Sequence, residues 1–137
     1  TMHLEICQEI MNANPDRYKK VEVKIPKGFH QVTKIKTKTV GWTHGHMASG
    51  SGSNAEAKIE SWWKGQMYGH LPAGECEILI TGHYHHFRSK YQGNRAWFQA
   101  PSLDKSLDFT ERSGLWSHPA VLSFTINKKG WDNLQLL

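Results

Sequence analysis

The sequence predicts an α/β fold, on three observations. Residues 4–14 and 54–68 have helical spacing, short β-branched runs lie between and after them, and Gly or Pro stands at most of the joins. The chain has 137 residues, the size of one ordinary domain and enough for a core, so 1–137 is read as a single domain. The order helix, two strands, helix, then strands makes the second half predominantly β, and no internal repeat is visible.

The first helix spans 4–14, with Leu4, Cys7, Ile10 and Met11 on one face, and Asn14-Pro15-Asp16 stops it. Val21, Val23 and Ile25 alternate with Glu22 and Lys24, which predicts a half-buried strand ending at Pro26. After the Lys27-Gly28 turn, residues 32–40 read as a second extended run. In that run Lys34, Lys36 and Lys38 share one face, either as a solvated edge strand or as a stripe that tracks phosphates. Residues 48–53 form a small-residue loop without the lysine or the spacing of a Walker A loop, which argues against that type of nucleotide binding. Asn54 or Ser53 caps a helix to about Tyr68, with Ala55, Ile59, Trp62, Trp63 and Met67 on its apolar side. Gln92-Gly93-Asn94 joins two runs as a hairpin. A long polar loop is expected over 101–119, and two last strands over 121–126 and 131–137.

Composition narrows the function classes. A formal charge of +5 favours a polyanionic partner such as nucleic acid. No run approaches the length of a membrane span, and the two distant cysteines, Cys7 and Cys76, read as reduced thiols of a cytoplasmic protein rather than as a zinc ribbon. Trp62 and Trp63 read as helix-to-sheet packing rather than base-stacking platforms.

Chemistry concentrates in Ile78-Leu79-Ile80-Thr81-Gly82-His83-Tyr84-His85-His86. An apolar run bounded by Gly reads as a buried strand, and histidines stand at its exit. In an extended segment His83 and His85 would point the same way, so that they could share one metal centre or serve two. A second cluster, His44-Gly45-His46, also follows a strand-like run. Parallel strands side by side would bring both clusters to one sheet edge, the usual place for ligands in α/β folds.

Thr43-His44-Gly45-His46 followed by Gly82-His83-Tyr84-His85 resembles the last two motifs of the calcineurin-like metallophosphoesterases, a superfamily that includes phosphodiesterases and DNA-repair exonucleases. The resemblance covers roughly 40–98. It implies two divalent metals, Mn, Fe or Zn, at the strand ends of a β-sandwich flanked by helices. His44 and His83 would bind one metal and His85 the other, with His46, the candidate catalytic residue, close by, either near the substrate phosphate or supporting the ligands from behind. The implied reaction is attack of a metal-bound hydroxide on a phosphodiester, DNA among the candidates.

The family's N-terminal Asp-x-His, Gly-Asp-x-x-Asp and Gly-Asn-His motifs are absent, and aspartate occurs only at Asp16, Asp104, Asp108 and Asp132. The expectation is therefore the C-terminal part of a metallophosphoesterase domain with its N-terminal half absent, inactive or nearly so alone. Such a piece would self-associate or pair with the missing half, or its lysine-bearing hairpin would pack into the gap. The alternative is a non-catalytic basic module that binds nucleic acid or a protein partner, with Lys34, Lys36 and Lys38 as its contacts.

Overall fold

The computed structural model describes residues 2–46, 54–105, 107–114 and 116–137. The loop expected over 48–53, and Ser53 as a cap, lie outside the described residues. Among the described residues, no helix is long and apolar enough to cross a membrane.

The chain opens with α1 (Met2–Ala13). Asn14 interrupts it as expected, but Pro15 then occupies the first turn of a short α2 (Pro15–Tyr18). Proline suits that position because its missing N–H would have had no helical partner there. The strand expected over 21–25 does not form. Those residues have no regular structure, and Val21 and Ile25 are 54% and 39% exposed. Alternation alone makes no strand when no neighbouring strand offers a ladder.

The run over 32–40 is two strands. β1 (His30–Ile35) and β2 (Lys38–Thr43) pair antiparallel, with Ile35 opposite Lys38. Lys36 turns the chain at a φ of +56°. From β2 the chain crosses through α3 (Ala55–Tyr68) and a 3-10 turn at Pro72–Glu75 to β3 (Ile78–Thr81). This helical crossover makes β2 and β3 parallel neighbours. β4 (Arg88–Gln92) and β5 (Arg95–Gln99) form the expected hairpin, with β5 parallel to β3. The sheet order is β1-β2-β3-β5-β4. Within the loop expected over 101–119 lies a helix, α4 (Leu107–Ser113), and the chain closes with β6 (Leu122–Ile126) and β7 (Trp131–Leu136) as a separate two-stranded sheet.

Side-chain alternation divides the core between the two faces of the five-stranded sheet. On one face Leu79 and Trp97 pack with Ile59 and Trp63 of α3 and with Cys76. Trp63 also donates its indole N–H to the Ala73 carbonyl at 2.8 Å, tying α3 to the 3-10 turn. Trp62 packs against the same cluster, as the sequence suggests. On the other face Val40, Ile78, Ala96 and Phe98 meet Leu122, Phe124, Ile126, Trp131 and Leu134 of the β6–β7 sheet. Helix, mixed sheet and small sheet thus form three layers of an α/β fold. Gly41 is required by the first interface, because a Cβ there would stand 2.5 Å from Cys76 Sγ.

Candidate metal centre

β2 and β3 end together. Thr43 lies opposite Thr81 in the parallel register, so the residues that follow each strand emerge at one sheet edge. The Gly82 N–H donates to the His44 carbonyl at 3.2 Å, continuing the ladder past the strand ends. Gly45 then turns away at a φ of +97°, where a Cβ would lie 3.2 Å from the Gly82 carbonyl oxygen. Left-handed backbone and close approach both favour glycine between His44 and His46.

His44 and His83 meet at this edge, with His44 Nε2 3.1 Å from His83 Nδ1 and the rings edge to face at 72°. Burial, and after it the His44, His46 and His85 imidazoles, hold His83 below the usual histidine range. A neutral ring is the form that ligates metals. His46 stands behind the pair, its ring 5.7 Å from that of His44 and 5.1 Å from Phe29. A cavity of ≈ 370 Å³ opens beside His44, lined by Phe29, Trp42, Ile80 and Gly82 among others.

The exit from β3 is not extended. His83 and His85 have φ of +73° and +60°, so strand alternation does not align their side chains. The Tyr84 N–H donates back to the Gly82 carbonyl at 3.0 Å, closing a tight turn. His85 and His86 are both half-buried on this turn. Burial first, then Arg88 and His85, lowers the His86 pKa.

The geometry matches part of a metal site. Two nitrogens bound to one zinc-sized ion at ~2.0–2.1 Å stand about 3.0–3.4 Å apart. The His44–His83 contact is at hydrogen-bond distance, and its 3.1 Å also lies within that range. Among the described residues, however, no three His, Cys, Asp or Glu side chains converge to hold a metal, so neither His85 nor a carboxylate joins the pair. The residues present do not fit a two-metal cage.

The predicted lysine stripe does not exist as one face. The turn at Lys36 reverses the chain, and the register sets Lys34 opposite Thr39 but Lys38 opposite Ile35. Lys34 and Lys38 therefore lie on opposite sides of the hairpin. Lys34 and Lys36 are exposed, whereas Lys38 is bonded to Glu77 at 2.7 Å. His118 packs against Trp116, with ring centroids 4.9 Å apart.

Sequence reasoning missed Gln99. This last residue of β5 is fully buried, and its Nε2 donates to the His86 carbonyl at 2.7 Å. The available signal was a lone carboxamide closing the apolar run Ala96-Trp97-Phe98.

No protein-family model matches the chain. No curated protein matches it either. Among solved structures it is similar to a Vps29 double mutant from Entamoeba histolytica, at 17% identity over 86% of this chain and 64% of that one, with a TM-score of 0.49. A predicted phosphoesterase from Streptococcus pneumoniae TIGR4 shares 16% identity over 76% of this chain and 51% of its own, at a TM-score of 0.45. Wild-type Vps29 from E. histolytica complexed with Zn²⁺ shares 19% over 86% and 66%, at 0.40. The chain thus spans between about half and two thirds of these structures' lengths. Likeness at this level assigns neither an activity nor a substrate to it.

Proposed function

We propose that this chain forms one wall of a metal-dependent phosphoesterase site, as the C-terminal part of a larger domain whose remaining residues supply the other wall. The observation that carries the reading is the 3.1 Å approach of His44 and His83 at the paired ends of two parallel strands. The resemblance of the two histidine motifs to those of metallophosphoesterases supplies the reaction class.

When bound, a divalent ion (Mn, Fe or Zn) would neutralise charge developing on a phosphodiester. Within this chain, His44 and His83 would hold one ion and His46 would face the substrate phosphate; His85, which the resemblance gives to a second ion, would serve there only with ligands from outside the chain. Partial desolvation, then the neighbouring imidazoles, lowers the His83 pKa, which favours the neutral form a ligand needs. Bridging carboxylates come from outside the chain, so the 137-residue protein alone has little or no turnover. Its substrate class is a phosphodiester, with DNA as the polyanion to test against a net charge of +5.

Calorimetric titration of the 137-residue chain with Zn²⁺ and Mn²⁺ tests the reading. The expected result is one ion bound, lost in both His44→Ala and His83→Ala. No metal binding, or binding that survives both substitutions, would overturn the assignment. Turnover of bis-(p-nitrophenyl) phosphate by this chain at the rate of a complete two-metal enzyme would overturn the idea of a half-site.

A further inference from the structure

We infer that Gln99 is a positioning residue for the histidine turn: its buried carboxamide clamps the His86 carbonyl and so keeps His83 against His44. The inference deepens the metal reading, but its geometric part stands without it.

The turn over 82–86 needs holding. His83 and His85 both occupy the left-handed region, which side-chain-bearing residues enter at a cost and keep only when the surroundings impose it. β5 supplies the restraint. Gln99 is paired with Thr81, the last residue of β3, so β5 runs directly beside the start of the turn. From there at least three hydrogen bonds fasten the turn and its root. The Ala100 N–H donates to the Thr81 carbonyl at 2.7 Å, and the Ser102 N–H to the His85 carbonyl at 3.2 Å. The third is the bond from Gln99 Nε2 to the His86 carbonyl at 2.7 Å. Two of them use backbone N–H groups that nearly any residue would provide, whereas the third depends on the side chain at 99.

The identity of that side chain is otherwise unexplained. Gln99 has no exposed surface, and among the described residues its Oε1 has no hydrogen-bond donor. Burying a carboxamide with an unmet acceptor is unfavourable, and a methionine of similar length would better suit the sheet face that position 99 shares with Trp97. A residue that serves the core poorly yet reaches the histidine turn is explained by the turn.

The test is Gln99→Met in the full chain, read three ways. A locked His44–His83 contact gives each ring distinct Nδ1 and Nε2 nitrogen NMR shifts, whereas free rings average their tautomers. The expected result is a melting temperature within a few degrees of wild type, averaged ring shifts for His83, and Zn²⁺ affinity, by chelator competition, lower by about 10- to 100-fold, the usual effect of removing a residue that orients a ligand. A folded Gln99→Met chain with wild-type ring shifts would overturn the inference, whatever its metal affinity. If the variant does not fold, the wild-type protein still decides. The Gln99 side-chain amide protons should exchange far more slowly than those of exposed Gln92, and equal rates would overturn the clamp. Failure of wild type to bind Zn²⁺ would count against the metal reading alone, because the ring shifts and the amide exchange need no metal.

Discussion

Helices α3 and α1 are both amphipathic, but among the described residues α3 packs on the sheet whereas α1 leaves most of its apolar residues exposed. α3 buries Ala55, Ile59 and Trp63 against Leu79 and Trp97, and its polar side is tied to the sheet by Lys90, which bonds Glu60 at 2.8 Å and Glu56 at 3.3 Å. α1 leaves Ile6 and Ile10 each 49% exposed and Leu4 37% exposed, and the apolar residues that follow it, Val21, Ile25 and Phe29, are exposed as well. Amphipathic spacing is thus a demand for a partner and does not supply one. Stability in this chain should concentrate where the demand is met, in the seam between α3 and the sheet.

That contrast can be broken by substitution, and the largest effect is expected at Ile59. Ile59→Ala opens a cavity in the seam and should cost about 2–5 kcal/mol in chemical denaturation. A loss under 1 kcal/mol would mean that α3 is no better anchored than α1. Next comes Gly41→Ala, which drives a methyl group into Cys76 Sγ and should cost about 1–3 kcal/mol through overpacking. Pairing it with Cys76→Ala removes the obstructing sulfur, so the double variant should recover part of the loss. Strict additivity of the two would contradict the close approach.

A smaller effect is expected at Glu77, which precedes β3. Its hydrogen bond from Lys38 comes first, and the Thr39 N–H also helps, in holding the carboxyl below its ordinary value against the opposing effect of burial. A lowered carboxylate pKa stabilises the fold above the unfolded value of about 4.5, and that stability is lost as pH falls through the folded value. Glu77→Gln should therefore lower stability near neutral pH by no more than about 1 kcal/mol and flatten the decline below pH 4.5. An unchanged acid limb would remove Glu77 from the account. The smallest effect belongs to α1, where Ile10→Ala should change stability by less than about 0.5 kcal/mol. A larger loss would show that α1 is packed in solution after all.

Elements whose signals are local were readable in the sequence. The α3 stripe, the Gln92-Gly93-Asn94 hairpin, and the strands holding Leu79 and Phe124 are specified by their own spacing and turn residues, and all form close to where periodicity puts them. The shared edge for His44 and His83 was also legible, because a helix between two buried strands makes them parallel. What failed depended on distant partners or on single backbone angles. Residues 21–25 alternate correctly but pair with no strand among the described residues. Nothing in Thr33-Lys34-Ile35-Lys36-Thr37 announces that Lys36 will turn at positive φ, since no glycine marks the reversal. Likewise His83 and His85 turn at positive φ with no glycine or proline at either position to announce it, so the turn that places them was not legible.

The sulfur packed under Gly41 also makes the molecule its own reporter. Thiol reagents attack the thiolate, and burial pushes the Cys76 thiol up to about 11 while the side chain itself is sealed in the seam. Cys7 is exposed on α1. A maleimide dye added to the folded protein therefore marks α1. The second equivalent is consumed only as the covered helix lifts away, so the rate of double labelling clocks the opening of that seam while the first dye serves as the internal standard.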